Sequence, residues 1–111
     1  MKRIIMALFF ITAVADLKAQ SNPAQDISSR IANKMRDTLS LFSAQRDSIY
    51  SINIELHNRK QLVRQQYSNM DSLRIKIQAI ENTRDSLYRT VLSEEKYLMY
   101  RQKKRNLVSN N

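Results

Sequence analysis

The chain has no glycine among its 111 residues and a single proline, Pro23. At the average usage of about 7%, roughly eight glycines would be expected. Phosphate-cradling loops, dinucleotide fingerprints, nucleophile elbows and calcium loops all need glycine, because their backbone takes positive φ or presses against a ligand. The sequence therefore predicts an all-α protein whose function resides on helical surfaces and not in a loop-built site.

The first nineteen residues have the pattern of a secretory signal peptide. Two cations precede an apolar run over residues 4–15 that contains one threonine. The run is too short for a membrane span of about 20 residues. Cleavage can follow Ala15 or Ala19, and we favour Ala19. No cysteine follows the run, which excludes a lipid anchor at an N-terminal cysteine. We expect a periplasmic protein with residues 20–111 as its single mature domain.

The expected mature chain is short and strongly basic. Without residues 1–19 it has 92 residues, 16 of them basic and 9 acidic, and a net charge of +7. A domain of this length has a thin core, and without cysteine no disulfide supports it. We therefore expect paired helices to supply stability, both within the chain and between the two copies of a homodimer.

Apolar residues recur with helical spacing along the whole mature chain. Asn22 and Pro23 fit a helix start, with a cap followed by proline at the first helical position. Four apolar residues then recur at every fourth position: Ile27, Ile31, Met35 and Leu39. An a/d heptad pattern extends over residues 49–91 and is apolar at ten of thirteen positions. The three exceptions are Arg59, Gln66 and Arg84.

The heptad pattern leaves two architectures open. One is a continuous helix over residues 49–91 in a dimeric coiled coil. The other is a helical hairpin that turns near residues 58–71, where Ser68, Asn69 and Asp71 can cap a new helix. We favour the hairpin, because a chain of this length buries more apolar surface by folding back on itself. Neither glycine nor proline marks the turn.

Two leucine-led segments have the pattern of a helix start. In residues 92–97, Ser93 is a good N-cap and two glutamates follow it in the first turn. Leu92 and Tyr97 have the spacing of a hydrophobic staple. This segment therefore separates the heptad region from a short final helix.

The earlier segment, residues 39–45, has the same leucine-led pattern. Leu41 and Gln45 are placed like the ends of a capping motif, with Phe42 at the usual position of the cap. We expect Ser43 to take over the cap one residue later.

In a basic, all-helical chain with an export signal, these segments resemble the paired LTxxQ motifs of the Spy/CpxP-like family of periplasmic chaperones and stress proteins. Leu41 and Gln45 match the first copy. Leu92 and Ser93 match the second copy, in which Lys96 replaces the glutamine. The resemblance implies a four-helix, cradle-like protomer that pairs into a homodimer and holds unfolded clients without ATP.

The basic surface fits this implication, because long-range attraction captures acidic or unfolded proteins at a high rate. The candidate client contacts form a cluster in the heptad region and a basic C-terminal tail: Arg59, Lys60 and Arg64, then Arg101, Lys103, Lys104 and Arg105. Tyr50 and Tyr67 offer apolar contact with a polar tip. For each cation, a solvated helix face is the simpler interpretation.

Other functions are compatible with the same sequence features. A structural or adaptor coiled coil of an envelope complex, a stress sensor, and binding to an anionic membrane surface are alternatives. Nucleic acid is not the expected partner despite the basic charge, because an exported protein encounters little of it. No cofactor or metal is expected, since His57 is the only histidine and cysteine is absent. The adjacent Glu94 and Glu95 are explained as helix-start charges, so we expect no enzyme activity.

Overall fold

The computed structural model describes residues 22–109, which form α-helices without any β-strand. The helices are α1 (Pro23–Leu39), α2 (Ser43–Gln66), α3 (Met70–Arg89) and α4 (Glu94–Lys104), followed by a π-helical segment (Arg105–Ser109). The all-helical prediction is confirmed. The predicted signal peptide lies outside the described residues. No described helix combines the length and apolar character that a membrane span requires.

Helix α1 begins where the sequence predicts. The Asn22 side chain accepts hydrogen bonds from the backbone N–H groups of Ala24 and Gln25, at 3.1 and 3.3 Å. Pro23 occupies the first helical position, where the lack of an N–H group costs nothing. Two otherwise unpaired backbone donors are therefore satisfied by one side chain.

Helix α1 ends in a left-handed turn at Ser40, which has φ of 58° and ψ of 54°. The N–H groups of Ser40 and Leu41 both donate to the carbonyl oxygen of Arg36, as in a Schellman-type helix end. Glycine normally fills this position, because a Cβ atom makes the left-handed conformation unfavourable. In a chain without glycine, Ser40 carries that cost.

Helices α2 and α3 pack against each other as a hairpin whose turn is Tyr67-Ser68-Asn69. The Asn69 side chain caps α3 by accepting from the N–H groups of Asp71 and Ser72, at 2.9 and 3.0 Å. The hairpin prediction is confirmed, and a continuous helix over residues 49–91 is wrong. The new helix starts at a strong asparagine cap, and no glycine is needed.

The main core lies where α1, α4 and the open end of the hairpin meet. Its buried members are Ile31, Ala32, Met35, Leu39, Leu41, Ile49, Tyr88, Leu92, Tyr97, Tyr100 and Leu107. Ile27 continues the α1 stripe but is 41% exposed, so the stripe extends beyond the core. At the turn of the hairpin the heptad seam also opens, and Met70 is 69% exposed. The heptad pattern therefore overestimates how far the buried seam extends.

Candidate functional site: a basic groove beside a buried arginine cluster

The fold brings the two leucine-led segments together. Leu41 and Leu92 are both buried in the same core cluster, although 51 positions separate them. The Gln45 side-chain amide donates to the carbonyl oxygen of Val91 at 3.4 Å. The first segment therefore contacts the backbone directly before the leucine of the second.

The second segment makes the equivalent contact in return. The Lys96 ammonium donates to the carbonyl oxygen of Leu39, and it lies 3.5 Å from that of Ser40. These carbonyls directly precede Leu41, and they belong to the end of α1, where no intrahelical donor reaches them. Gln45 and Lys96 have equivalent places in their segments, so the two contacts are reciprocal.

The helix caps in these segments differ from each other. Ser93 caps α4 by accepting from the backbone N–H of Lys96 at 3.2 Å, as predicted. At the start of α2 the N-cap is Phe42, and Ser43 is the first helical residue, so the expectation that Ser43 caps this helix is wrong. The Gln45 side chain accepts from the Phe42 N–H at 2.9 Å, which supplies one half of a capping box. The Phe42 side chain is 77% exposed.

A groove of about 540 Å³ lies between α1, the hairpin and the π-helical segment. Its apolar wall consists of Ile27, Ile31 and Val108, and its cation rim consists of Lys60, Lys104 and Arg105. Gln78, Glu81 and Arg84 complete the lining. Four cations and one carboxylate line the groove, which gives a formal net charge of +3. Three of the seven predicted client contacts therefore meet in one place, one from the middle of the mature chain and two from its C-terminal tail.

Arg84 forms part of the groove lining and is only 5% exposed. One terminal nitrogen of its guanidinium donates to Asn53 Oδ1 at 3.0 Å and lies 2.8 Å from the hydroxyl of Tyr88. The Tyr88 hydroxyl also donates to Asn53. The Asn53 amide then donates to the carbonyl oxygen of Ser28 in α1, at 3.0 Å. We call Asn53, Glu81, Arg84 and Tyr88 the arginine cluster; it joins α1, α2 and α3.

The arginine cluster keeps one carboxylate ionised and one cation in place. Glu81 accepts hydrogen bonds from Arg84 and from Lys60. Burial alone raises the pKa of Glu81, but the hydrogen bonds and charges of Arg84 and Lys60 outweigh it and lower the pKa to about 2. Burial also raises the pKa of Tyr88 to about 12, against the opposite effect of Arg84. At neutral pH, Glu81 is therefore ionised and holds Lys60 at the groove.

A second carboxylate, Asp85, positions the C-terminal cations. It binds Lys104 at 3.0 Å, Arg101 at 3.2 Å and the hydroxyl of Tyr100 at 2.7 Å. Burial alone raises the pKa of Asp85, but the Tyr100 hydrogen bond and the Lys104 charge outweigh it, so the pKa is lowered. Lys104 is consequently fixed where α4 meets the π-helical segment.

The other predicted contacts lie outside the groove. Arg59 pairs with Glu55 one turn earlier in α2, and Arg64 donates to Gln61 at 3.0 Å. Lys103 is exposed on α4. The cluster that the sequence suggested at Arg59, Lys60 and Arg64 is therefore divided, because only Lys60 is on the side of α2 that lines the groove.

The two tyrosines singled out for apolar contact each pack under a cation. Arg46 lies 5.3 Å from the ring centre of Tyr50, and Lys76 lies 5.6 Å from that of Tyr67. Both tyrosines are half-buried and neither lines the groove. These contacts are cation–π interactions within the chain.

The sequence signalled the arginine cluster only indirectly. Arg84 stands at a heptad position where an apolar residue is expected, with Glu81 one turn before it and Tyr88 one turn after it. A charged side chain is rarely buried in an apolar seam unless an oppositely charged partner and hydrogen bonds compensate its charge. Asn53, 31 positions away, carries no such signal.

Comparisons with family models, with curated proteins and with solved structures find no match for this chain. Within residues 22–109, no three histidine or acidic side chains gather in a way that could hold a metal ion.

Proposed function

We propose that the protein is an exported, ATP-independent chaperone-like protein of the Spy/CpxP-like type, which acts in the periplasm as a homodimer and holds unfolded or stress-damaged envelope proteins. One observation carries the proposal: the groove combines an apolar wall with a net charge of +3. Unfolded chains expose carboxylates and apolar side chains together, so one surface attracts both. The contacts that Gln45 and Lys96 make between the two leucine-led segments also support the proposal.

The charges and the apolar wall have different roles in this proposal. Charge attraction raises the rate of encounter with acidic segments and weakens as salt screens it. The apolar wall then retains the client through burial that depends little on salt. The binding is weak and reversible, because the groove is open to solvent and no described element encloses the client.

The test is an aggregation assay with two unrelated chemically unfolded clients, one acidic and one basic. We expect an equimolar amount of protein to suppress light scattering by the acidic client at about 0.02 M salt, and to lose most of this effect at about 0.5 M salt. The doubly substituted variant Lys104→Gln/Arg105→Gln should lose suppression. A matched variant, Arg36→Gln/Arg74→Gln, removes the same charge from exposed positions outside the groove and should retain it.

Unchanged aggregation of both clients at equimolar protein would refute the proposal. If both double variants lose suppression of aggregation to the same extent, the suppression depends on the net charge of the protein and the assignment to the groove is wrong.

A structural or adaptor function is the second candidate, and a specific observation favours it. Near the turn of the hairpin, large apolar side chains are exposed on both helices: Leu62, Met70 and Ile75. A helix of one fixed partner could cover them. Affinity capture that recovers one stoichiometric partner in place of many unfolded ones would support this function over the chaperone.

A further inference from the structure

The groove has features that its role in folding does not explain. Ile27 continues the apolar stripe of α1 past the core and remains 41% exposed, facing the groove. Val108, on the π-helical segment, lines the same groove and is half-buried. An apolar wall beside several cations is complementary to a molecule that has a hydrocarbon part and an anionic head.

The cations of the groove are already positioned for such a molecule. Lys60 is held by Glu81, and Lys104 is held by Asp85. Glu81 also pairs with Arg84, so one negative charge is shared between two cations and the groove keeps a net positive charge. Because ion pairs within the chain hold these two lysines at the groove, binding of an anion costs less side-chain conformational entropy.

The backbone around the groove limits what kind of anion fits. Its walls belong to helices, so no extended strand edge lines the groove. A peptide in the groove would therefore find few partners for its amide groups and would bind mainly through its side chains, as a weakly held client does. A methylene chain has no such groups. The volume of about 540 Å³ is in the range of small-molecule sites, so the groove holds a whole small ligand but only a short part of a client chain.

We propose that this groove binds a single-chain carboxylate amphiphile of the fatty-acid class. The carboxylate lies at the cation rim, and the hydrocarbon chain lies along the apolar wall. The proposal does not rest on chaperone activity, because it concerns a small ligand whose binding is measured directly. If both proposals hold, the amphiphile competes with clients for the groove.

The experiment is isothermal titration calorimetry of the purified protein with decanoate kept below its micelle-forming concentration. Decanol and decyltrimethylammonium serve as neutral and cationic probes with the same chain. We expect decanoate to bind at one site per chain and the other two to bind at least about tenfold more weakly, as loss of charge pairing and like-charge repulsion require.

Variants locate the site. Arg105→Gln should weaken decanoate binding about fivefold and leave decanol unchanged, as loss of one exposed charge interaction predicts. Val108→Asp should abolish binding. Ile27→Ser changes a more exposed wall residue, so it serves as a second wall variant if Val108→Asp disturbs folding. Arg36→Gln, outside the groove, should leave decanoate binding unchanged.

Equal binding of decanol and decanoate, absence of saturable decanoate binding, or unchanged binding in the folded wall variants would each overturn the proposal. A short acidic leucine-containing peptide that binds the groove more tightly than decanoate would overturn it as well, and would favour a peptide ligand. The aggregation assay is unaffected by these results, so the two proposals fail separately.

Discussion

Substitution of Asn53 by alanine tests whether the arginine cluster holds the three helices together. Asn53 is 4% exposed and takes part in three hydrogen bonds: with Ser28 of α1, and with Arg84 and Tyr88 of α3. Asn53→Ala removes all three and leaves buried polar groups without their partner.

The loss of these three hydrogen bonds sets the expected decrease in the free energy of unfolding. Each is worth about 1 kcal/mol, and more where one partner is charged, so the gross loss is about 3 kcal/mol. Because alanine has a higher helix propensity than asparagine, the substitution also stabilises α2 by about 0.5 kcal/mol. We therefore expect the free energy of unfolding to fall by about 2.5 kcal/mol, which lowers Tm by roughly 10 to 20 °C for a domain of this size.

The assay is urea unfolding followed by far-ultraviolet circular dichroism. Asn58→Ala is the matched control, since Asn58 is on the same helix and exposed. It should be neutral or slightly stabilising, because it changes helix propensity alone. If the two variants unfold at the same urea concentration, the arginine cluster contributes nothing to stability and the reasoning is wrong.

Three further predictions concern single residues. Ser40→Gly should stabilise the protein by about 0.5 to 1 kcal/mol in urea unfolding, because it relieves a left-handed serine at φ of 58°; a loss of stability would contradict this. Asn69→Ala should cost about 1 kcal/mol through loss of the α3 cap, whereas Asn82→Ala, exposed within α3, should cost nothing. The Glu81 carboxyl has an ordinary pKa of 4.5 and a pKa of about 2 in the fold, so its stabilisation is present above about pH 4.5 and is lost as pH falls to about 2. The stability difference between the parent and Glu81→Gln should shrink over that pH range, and a constant difference would refute the assignment.

Local features of the fold follow from the sequence where one side chain acts on its own backbone. Asn22 and Ser93 cap the helices that their sequence positions predict. Asn69 marks the turn of the hairpin, although its competitors Ser68 and Asp71 were equally plausible caps. Such contacts span two or three residues, so spacing and residue type are sufficient to place them.

The candidate site depends on contacts between distant segments. Lys60 shares the groove with Lys104 and Arg105 only because the hairpin returns the chain towards α1, against which α2, α4 and the π-helical segment all pack. The sequence suggested a cluster of Lys60 with Arg59 and Arg64 instead, because it shows only which residues are close along the chain. Helical rotation separates them, as adjacent residues point in directions about 100° apart.

The absence of glycine decided on its own that no glycine-dependent phosphate or nucleotide loop is present and that other residues must make the turns, while the helical spacing of apolar residues indicated the all-α fold. Hydrophobic spacing decided which residues face inward near the core. The tertiary structure alone decided that Arg84 is buried with Asn53, and that an apolar wall and a cation rim meet in one groove. Helix formation is governed by local propensity and periodicity, whereas the pairing of distant side chains depends on how the helices pack.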